Sequence, residues 1–266
     1  MIVDAHMHIC TSGKTFETEA DFDPFIEEIT TEMLASGVRG GILAANTTRH
    51  EYLDIITRRY GMYFRGLLNM VPDMDRNLAD IEKYGGNKNI IGIKVYPSLF
   101  PNSSIIKPLE PVLKRIRDRR WIIQVHSNPV IKEELGLPLH IISLASRVDN
   151  PVVMVHCGGH QFQQLFKLRF RLPENLYFDT SAIQNLFCDT PFNPHVRWLF
   201  DLLGDRLFWA SDYDDFSWGE ALDALRMYGF TESELESVCY HNCMKMLRDY
   251  TSTDLDDWEQ SGAVQS

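Results

Sequence analysis

The feature that most limits how this chain can fold is a regular alternation of short apolar runs with helix-forming stretches. The apolar runs are Ile2 to Cys10, Gly40 to Ala45, Tyr63 to Met70, Ile90 to Tyr96, Trp121 to His126, Val152 to His156, Leu176 to Thr180 and Arg206 to Ser211. Each is apolar and of strand length, and most are rich in β-branched or aromatic residues. Helical signals fill the intervals. The first begins at Asp23-Pro24, an N-cap followed by proline at the first helical position. It carries an apolar stripe of Phe25, Ile29, Met33 and Leu34 and ends at Gly37. Further helices are expected around His50 to Tyr60, Asp75 to Tyr84, Leu109 to Arg119, Leu139 to Arg147, up to Arg169, up to Leu203, and Trp218 to Met227. Strands that alternate with helices pair in parallel. Eight such units in about 225 residues point to an α/β fold of the closed (β/α)8 TIM-barrel type rather than an open doubly wound sheet.

The barrel is expected over residues 1–250 as a single domain, with an extra helix from Glu232 to Tyr250 on its exterior. Residues 251–266 read as an acidic, frayed tail with Trp258 as its anchor. Hydrophobic residues make up 44% of the 266-residue chain, enough for a large core. The 37 acidic and 26 basic residues give a net charge of −11, which argues against nucleic-acid or anionic-membrane partners. No apolar run is long enough to span a bilayer. The strand signal starts at Ile2, which leaves no room for a signal peptide. The five cysteines contain no Cys-x-x-Cys pair and read as reduced thiols in a cytoplasmic protein.

Barrel active sites lie at the carboxyl ends of the strands, and the residues at those ends are distinctive. His6 and His8 close strand one. With a side-chain period of two they point the same way, about 7 Å apart along the strand, so both imidazoles can converge on one metal ion. Strand four ends with Lys94, strand five with His126, strand six with His156 and strand eight with Asp212. Asp4 shares a face with His6 and His8 by period and lies deeper, where it satisfies buried backbone or orients a ligand. Asp179 ends strand seven, where it faces the site or caps the next loop. Asn128, Tyr96, Phe100, Tyr213 and Trp218 follow strand ends and are candidates for the pocket lining, with Asn128 taken as a substrate contact. His160 reads as part of a helix start, and His50, His140, His195 and His241 as structural or solvent-facing.

The segments Val3-Asp4-Ala5-His6-Met7-His8, Gly92-Ile93-Lys94, Val125-His126-Ser127-Asn128-Pro129, Val155-His156-Cys157-Gly158-Gly159-His160 and Phe208-Trp209-Ala210-Ser211-Asp212-Tyr213 together resemble the amidohydrolase superfamily of metal-dependent barrels. The similarity is greatest to its amidohydrolase-related (amidohydrolase 2) branch, which includes aromatic-acid decarboxylases, and it spans residues 2 to about 248. The resemblance implies one divalent ion held by His6, His8, His126 and Asp212, with His156 contacting bound water or substrate. Other branches hold two ions bridged by a carboxylated lysine, and Lys94 stands at that position. One ion is favoured, with Lys94 as a contact for a substrate anion. Zinc leads among the candidate metals, with manganese, iron and nickel as alternatives. A homodimer is the assembly the resemblance suggests.

These residue types suit hydrolysis. An ion with an open position acidifies its water toward a pKa of about 7, and Asp212 can carry the proton to a leaving group. The expected activity is a metal-dependent hydrolase acting on an amide, ester or lactone bond of a small molecule. The same residues could serve a metal-dependent decarboxylase of an aromatic or unsaturated carboxylic acid. A non-catalytic barrel is the third reading, and the full ligand set argues against it.

Overall fold

A computed structural model describes residues 1–11, 14, 16, 18–45, 49–100, 105–127, 137–252 and 254–260. Its strands are β1 (Ile2–Met7), β2 (Val38–Ala44), β3 (Phe64–Met70), β4 (Ile90–Val95), β5 (Ile122–His126), β6 (Val152–Val155), β7 (Leu176–Asp179) and β8 (Leu207–Phe208). Each pairs in parallel with the next, in the order β1 to β8. The ring closes where the chain after β8 meets β1. Ala5 N donates to Trp209 O (3.2 Å), Asp212 N to His6 O (3.0 Å) and His8 N to Tyr213 O (2.8 Å). The α/β barrel expected from the alternation is therefore the observed fold.

The helices between strands are α1 (Phe22–Ala35), α2 (His50–Arg59), α3 (Met74–Tyr84), α4 (Ile106–Arg117), α5 (Pro138–Ala145), α6 (Gln163–Leu168), α7 (Ile183–Phe187) and α8 (Asn193–Leu203), and α9 (Trp218–Arg226) follows β8. Asp23 is not the N-cap of α1. A short 3-10 turn (Glu19–Asp21) brings the helix in earlier, and Asp23 in its first turn pairs with Arg59 at 2.6 Å. Gly37 ends the helix as expected, with φ of 81°, a left-handed value that costs glycine little.

Two apolar layers follow from the period-two alternation of the strands. Outward residues such as Leu43, Leu68, Ile93, Val125, Met154 and Phe178 pack against the helices. Inward residues Val3, Ile42, Leu67, Ile91, Ile122, Val153 and Phe208 fill the lower half of the barrel.

The chain beyond β8 corrects two expectations. After α10 (Glu232–Glu236), a π-helical turn (Ser237–His241) leads into α11 (Asn242–Tyr250). Cys243, Met244, Met246 and Leu247 of α11 join the inner layer, so this helix closes the barrel floor instead of lying on the outer wall. The tail is not frayed over residues 254–260: it forms α12 (Asp256–Gln260), with Leu255 and Trp258 buried in the same layer. The reason is steric as well as hydrophobic. Trp258 packs where Gly40 leaves no side chain, and a Cβ there would overlap the indole. The Arg65 guanidinium lies 4.9 Å from the Trp258 ring and donates to Asp254 O at 2.6 Å. With the floor sealed by apolar groups, the polar strand ends gather at the opposite rim.

Candidate metal centre

Strand β1 departs from strict alternation, and this sets the site. Its pairing with β2 shifts register between Asp4 and Met7, so Asp4 does not share the face of His6 and His8. The Asp4 carboxylate instead accepts from Trp218 Nε1 of α9 (2.9 Å), Ser211 N (3.0 Å), the Ser211 hydroxyl and His6 N (3.1 Å). It ties β1 to the segment carrying Asp212. His6 and His8 remain on the inside, both buried.

Asp212 Oδ1 lies 3.4 Å from Nε2 of His6 and 3.4 Å from Nε2 of His8. Its Oδ2 lies 3.9 Å from His156 Nδ1. His156 Nε2 lies 3.2 Å from His126 Nδ1. His6, His156 and Asp212 bring donor atoms within 4.8 Å of one another. Bonds of about 2.0–2.2 Å to one ion place its ligands roughly 3.0–3.5 Å apart, so the His6–Asp212 and His8–Asp212 separations both suit a shared cation.

The outer contacts of the rings fix their tautomers. A carbonyl oxygen only accepts, so His8 Nδ1, 3.1 Å from Ala44 O, carries the proton. Gln124 donates its amide to Ala5 O at 2.7 Å, which turns Oε1 to accept from His6 Nδ1 at 2.9 Å. His156 Nδ1 lies 3.1 Å from Ser181 O. In all three rings Nε2 is left as a lone pair, and in His6 and His8 it faces Asp212. Metal-binding histidines characteristically donate the other ring N–H to a carbonyl or carboxylate in this way.

Electrostatics agree with that donor set. Burial pushes the His6 and His126 imidazoles well below their ordinary value, and His156 down to about 4. Burial alone would raise Asp212, but the imidazoles of His156, His6 and His8 hold it well below the usual carboxylate range. Neutral imidazoles beside a carboxylate are the protonation states a divalent ion requires.

Lys94 is fully buried, with Nζ 3.3 Å from His6 Nε2. Burial lowers it to about 7, against the opposing pull of Asp179 and Asp212. Asp179 is likewise raised to about 6 by burial, against its hydrogen bonds to Ser181 and His156 and the charge of Lys94.

The backbone is strained at the same rim. Among the described residues, non-glycine positive φ occurs at Arg120, His156 (63°), Cys157 (48°), Ala182 (56°), Asp212 (61°) and Asp214 (95°). All but Arg120 follow β6, β7 or β8. Such conformations cost about 1–3 kcal/mol each and cluster at functional sites.

Of the residues expected at the site, His6, His8, Lys94, His126, His156 and Asp212 come together at one rim. Asn128 lies outside the described residues. The Tyr96 ring stands 5.0 Å from that of His126. Tyr213 and Trp218 stack on each other at 3.9 Å and turn toward Glu32 and Asp4, and Phe100 is in the outer core. His160 is exposed beside Phe187. His50 is structural, accepting from Asn69 N at Nε2 (3.0 Å) with Nδ1 2.9 Å from Asp80. Sequence reasoning passed over Gln124 and Ser181. Gln124 carried a signal: it is a polar residue in an apolar strand, two positions before His126 and hence on the same face.

The sequence profile of the amidohydrolase family matches residues 3–248. The chain belongs to this family. No curated protein matches the sequence closely enough to be counted. Among solved structures, an uncharacterized TIM-barrel protein, Bb4693 of Bordetella bronchiseptica, is similar with a TM-score of 0.75 and 15% identity, over 94% of this chain and 99% of that one. A probable 2-pyrone-4,6-dicarboxylic acid hydrolase of Acinetobacter baumannii gives 0.68 and 15%, over 93% and 99%. The 5-carboxyvanillate decarboxylase LigW of Sphingomonas paucimobilis gives 0.66 and 14%, over 93% and 98%. At these identities the likeness is one of fold. The family is one of metal-dependent enzymes, and among the described residues no helix is long and apolar enough to cross a membrane.

Proposed function

We propose that this amidohydrolase-family chain is a metal-dependent hydrolase acting on an amide, ester or lactone bond of a small molecule in the cytoplasm. The observation that carries this reading is the outward anchoring of three imidazole N–H groups, on Ala44 O, Gln124 Oε1 and Ser181 O, which leaves Nε2 lone pairs at one rim. One divalent ion, zinc before manganese, iron or nickel, is assigned to His6, His8, His126 and Asp212. When bound, it would supply Lewis acidity toward water and the substrate carbonyl.

The remaining work falls to the chain's own groups. Asp212 Oδ2, the oxygen turned away from His6 and His8, accepts the proton of the attacking water and returns it to the leaving nitrogen or oxygen. His156 Nε2 acts as an acceptor. Donation to a carbonyl would need a proton there, and Ser181 O holds the ring proton on Nδ1. Lys94, which burial lowers to about 7, takes up its proton when a substrate anion pairs with it, in a site dry enough to strengthen the pair.

A second reading, decarboxylation of an aromatic or unsaturated acid, is favoured by one feature. The Tyr96 ring stands beside both His126 (5.0 Å) and Lys94 Nζ (5.2 Å), so a flat ring and a cationic group sit together.

Metal content per chain, measured on protein purified without chelators, tests the proposal. About one ion per chain, lost in His6→Ala, supports it. About two would make Lys94 a bridging ligand after carboxylation. None, even after zinc or manganese is added, refutes the metal assignment. Release of carbon dioxide on turnover would transfer the assignment to decarboxylation.

A further inference from the structure

Strand β7 ends in Asp179, which is fully buried and is not among the residues assigned to the ion. Its Oδ1 accepts three hydrogen bonds: from His156 N (2.9 Å), from Ser181 N (3.2 Å) and from the Ser181 hydroxyl. The Ser181 hydroxyl oxygen and carbonyl lie 2.9 and 3.1 Å from His156 Nδ1 and share its proton. A single carboxylate oxygen therefore restrains His156 at both ends, its backbone directly and its ring through Ser181.

That restraint has something to oppose. His156 and Cys157 are in the left-handed region, as is Ala182 next to Ser181. Non-glycine residues leave this region unless their surroundings hold them. A freed imidazole would also choose either tautomer, and only Nδ1–H leaves the Nε2 lone pair for the centre. Asp179 Oδ2 has no hydrogen-bond partner among the described residues, so the restraint acts through Oδ1 alone.

We propose that Asp179 is the positioning residue for His156, acting through Oδ1 and Ser181 to hold the ring as the Nδ1–H tautomer with Nε2 turned to the centre. The inference rests on the reading of that rim as a metal centre. Its test does not depend on metal being found.

The experiment is a long-range proton–nitrogen correlation of the histidine rings in the full-length, nitrogen-15-labelled protein, as purified and after zinc addition. Wild type is expected to show His156 protonated at Nδ1 only. Ser181→Ala and Asp179→Ala should shift it to a mixture or to the Nε2–H form. Asp179→Asn keeps an oxygen at the Oδ1 position and places its amide where Oδ2 has no partner, so it should retain the wild-type signature. A wild-type tautomer in both alanine variants would overturn the proposal. So would an asparagine variant as disturbed as the alanine variants, because the charge at Oδ2 would then be the feature that matters. If Asp179→Ala does not fold, the other two variants still decide the question. A protein that binds no zinc but shows these shifts would refute the metal reading and leave the positioning role standing.

Discussion

The carboxylate of Asp4 should be worth more to this barrel than most core side chains, and Asp4→Asn is the perturbation that measures it. Four donors converge on its two oxygens: His6 N and Ser211 N on Oδ1, and the Ser211 hydroxyl and Trp218 Nε1 on Oδ2. Asparagine keeps the shape and one acceptor. Its oxygen best serves the two backbone N–H groups, which cannot turn away. The amide nitrogen then replaces Oδ2. Ser211 tolerates this, since its hydroxyl rotates and its oxygen already accepts from Tyr213 N at 2.8 Å. Trp218 does not, because its indole N–H would face another N–H in a buried site. One orphaned buried donor costs about 1–3 kcal/mol, and the loss of a charged acceptor adds to it. A total near 3 kcal/mol is a large share of the roughly 5–15 kcal/mol that holds a domain folded. Trp218→Phe keeps the ring stacked on Tyr213 while deleting the donor, so it should cost less in the Asp4→Asn background than in wild type, by about 2 kcal/mol. Urea unfolding followed by circular dichroism, with chelator present to remove ligand linkage, gives all four corners of the cycle. Costs that add within about 0.5 kcal/mol would show that the Trp218–Asp4 bond does not couple the two residues, and the argument would fail.

Removing Trp258 should weaken the fold from the other end. Trp258→Ala is expected to cost about 3–5 kcal/mol, and Gly40→Ala, severe in wild type, should be tolerated better in that background; equal costs in both would refute the packing described for the floor. A pH dependence follows from His50, which burial holds below its ordinary value despite Asp80. Its Nε2 must stay unprotonated to accept from Asn69 N. The folded pKa is depressed, so the unfolded chain binds the proton first as pH falls through about 6.5. Wild type should therefore lose more stability than His50→Gln between about pH 7 and pH 5, and parallel curves would contradict the assignment. Asp212→Asn should abolish turnover of any identified substrate while leaving circular dichroism unchanged, because asparagine tolerates the left-handed backbone at that position (φ 61°); retained turnover would remove Asp212 from the chemistry.

The parts of this molecule that were legible in the sequence are those governed by local pattern. Apolar runs of strand length bounded by glycine and helix caps specify eight βα units, and residues standing at the ends of those runs must meet at one rim. Asp4 was misplaced because period two assumes an unbroken ladder, whereas β1 changes register between Asp4 and Met7. The floor was misread for a different reason. Trp258 anchors the tail as expected, but that it docks in the barrel floor depends on the absence of a side chain at Gly40, more than 200 residues away in sequence, and on Arg65. No local signal carries that pairing. Ser181 was missed because its role needs a left-handed turn at Ala182 that no glycine announces.

The contacts that orient the imidazoles also say how the site is built. His8 on β1 is held by Ala44 of β2, His6 on β1 by Gln124 of β5, and His156 after β6 by Ser181 after β7. Asp212 after β8 is placed by its N–H on His6 O and by Asp4 through Ser211. None of these four donors is oriented by its own strand alone. Each depends on a neighbour or on a strand across the barrel, so the geometry of the centre is a property of the closed ring. The apolar floor under α11 and Trp258 then matters to the chemistry without touching it, since a barrel that opens between β8 and β1 separates Asp212 from His6 and His8. A variant such as Trp258→Ala should accordingly lose metal affinity along with stability, whereas a surface substitution of equal cost on an outer helix should lose stability alone. Equal metal affinity in the two would mean that the rim is held locally and that closure of the ring is not what aligns it.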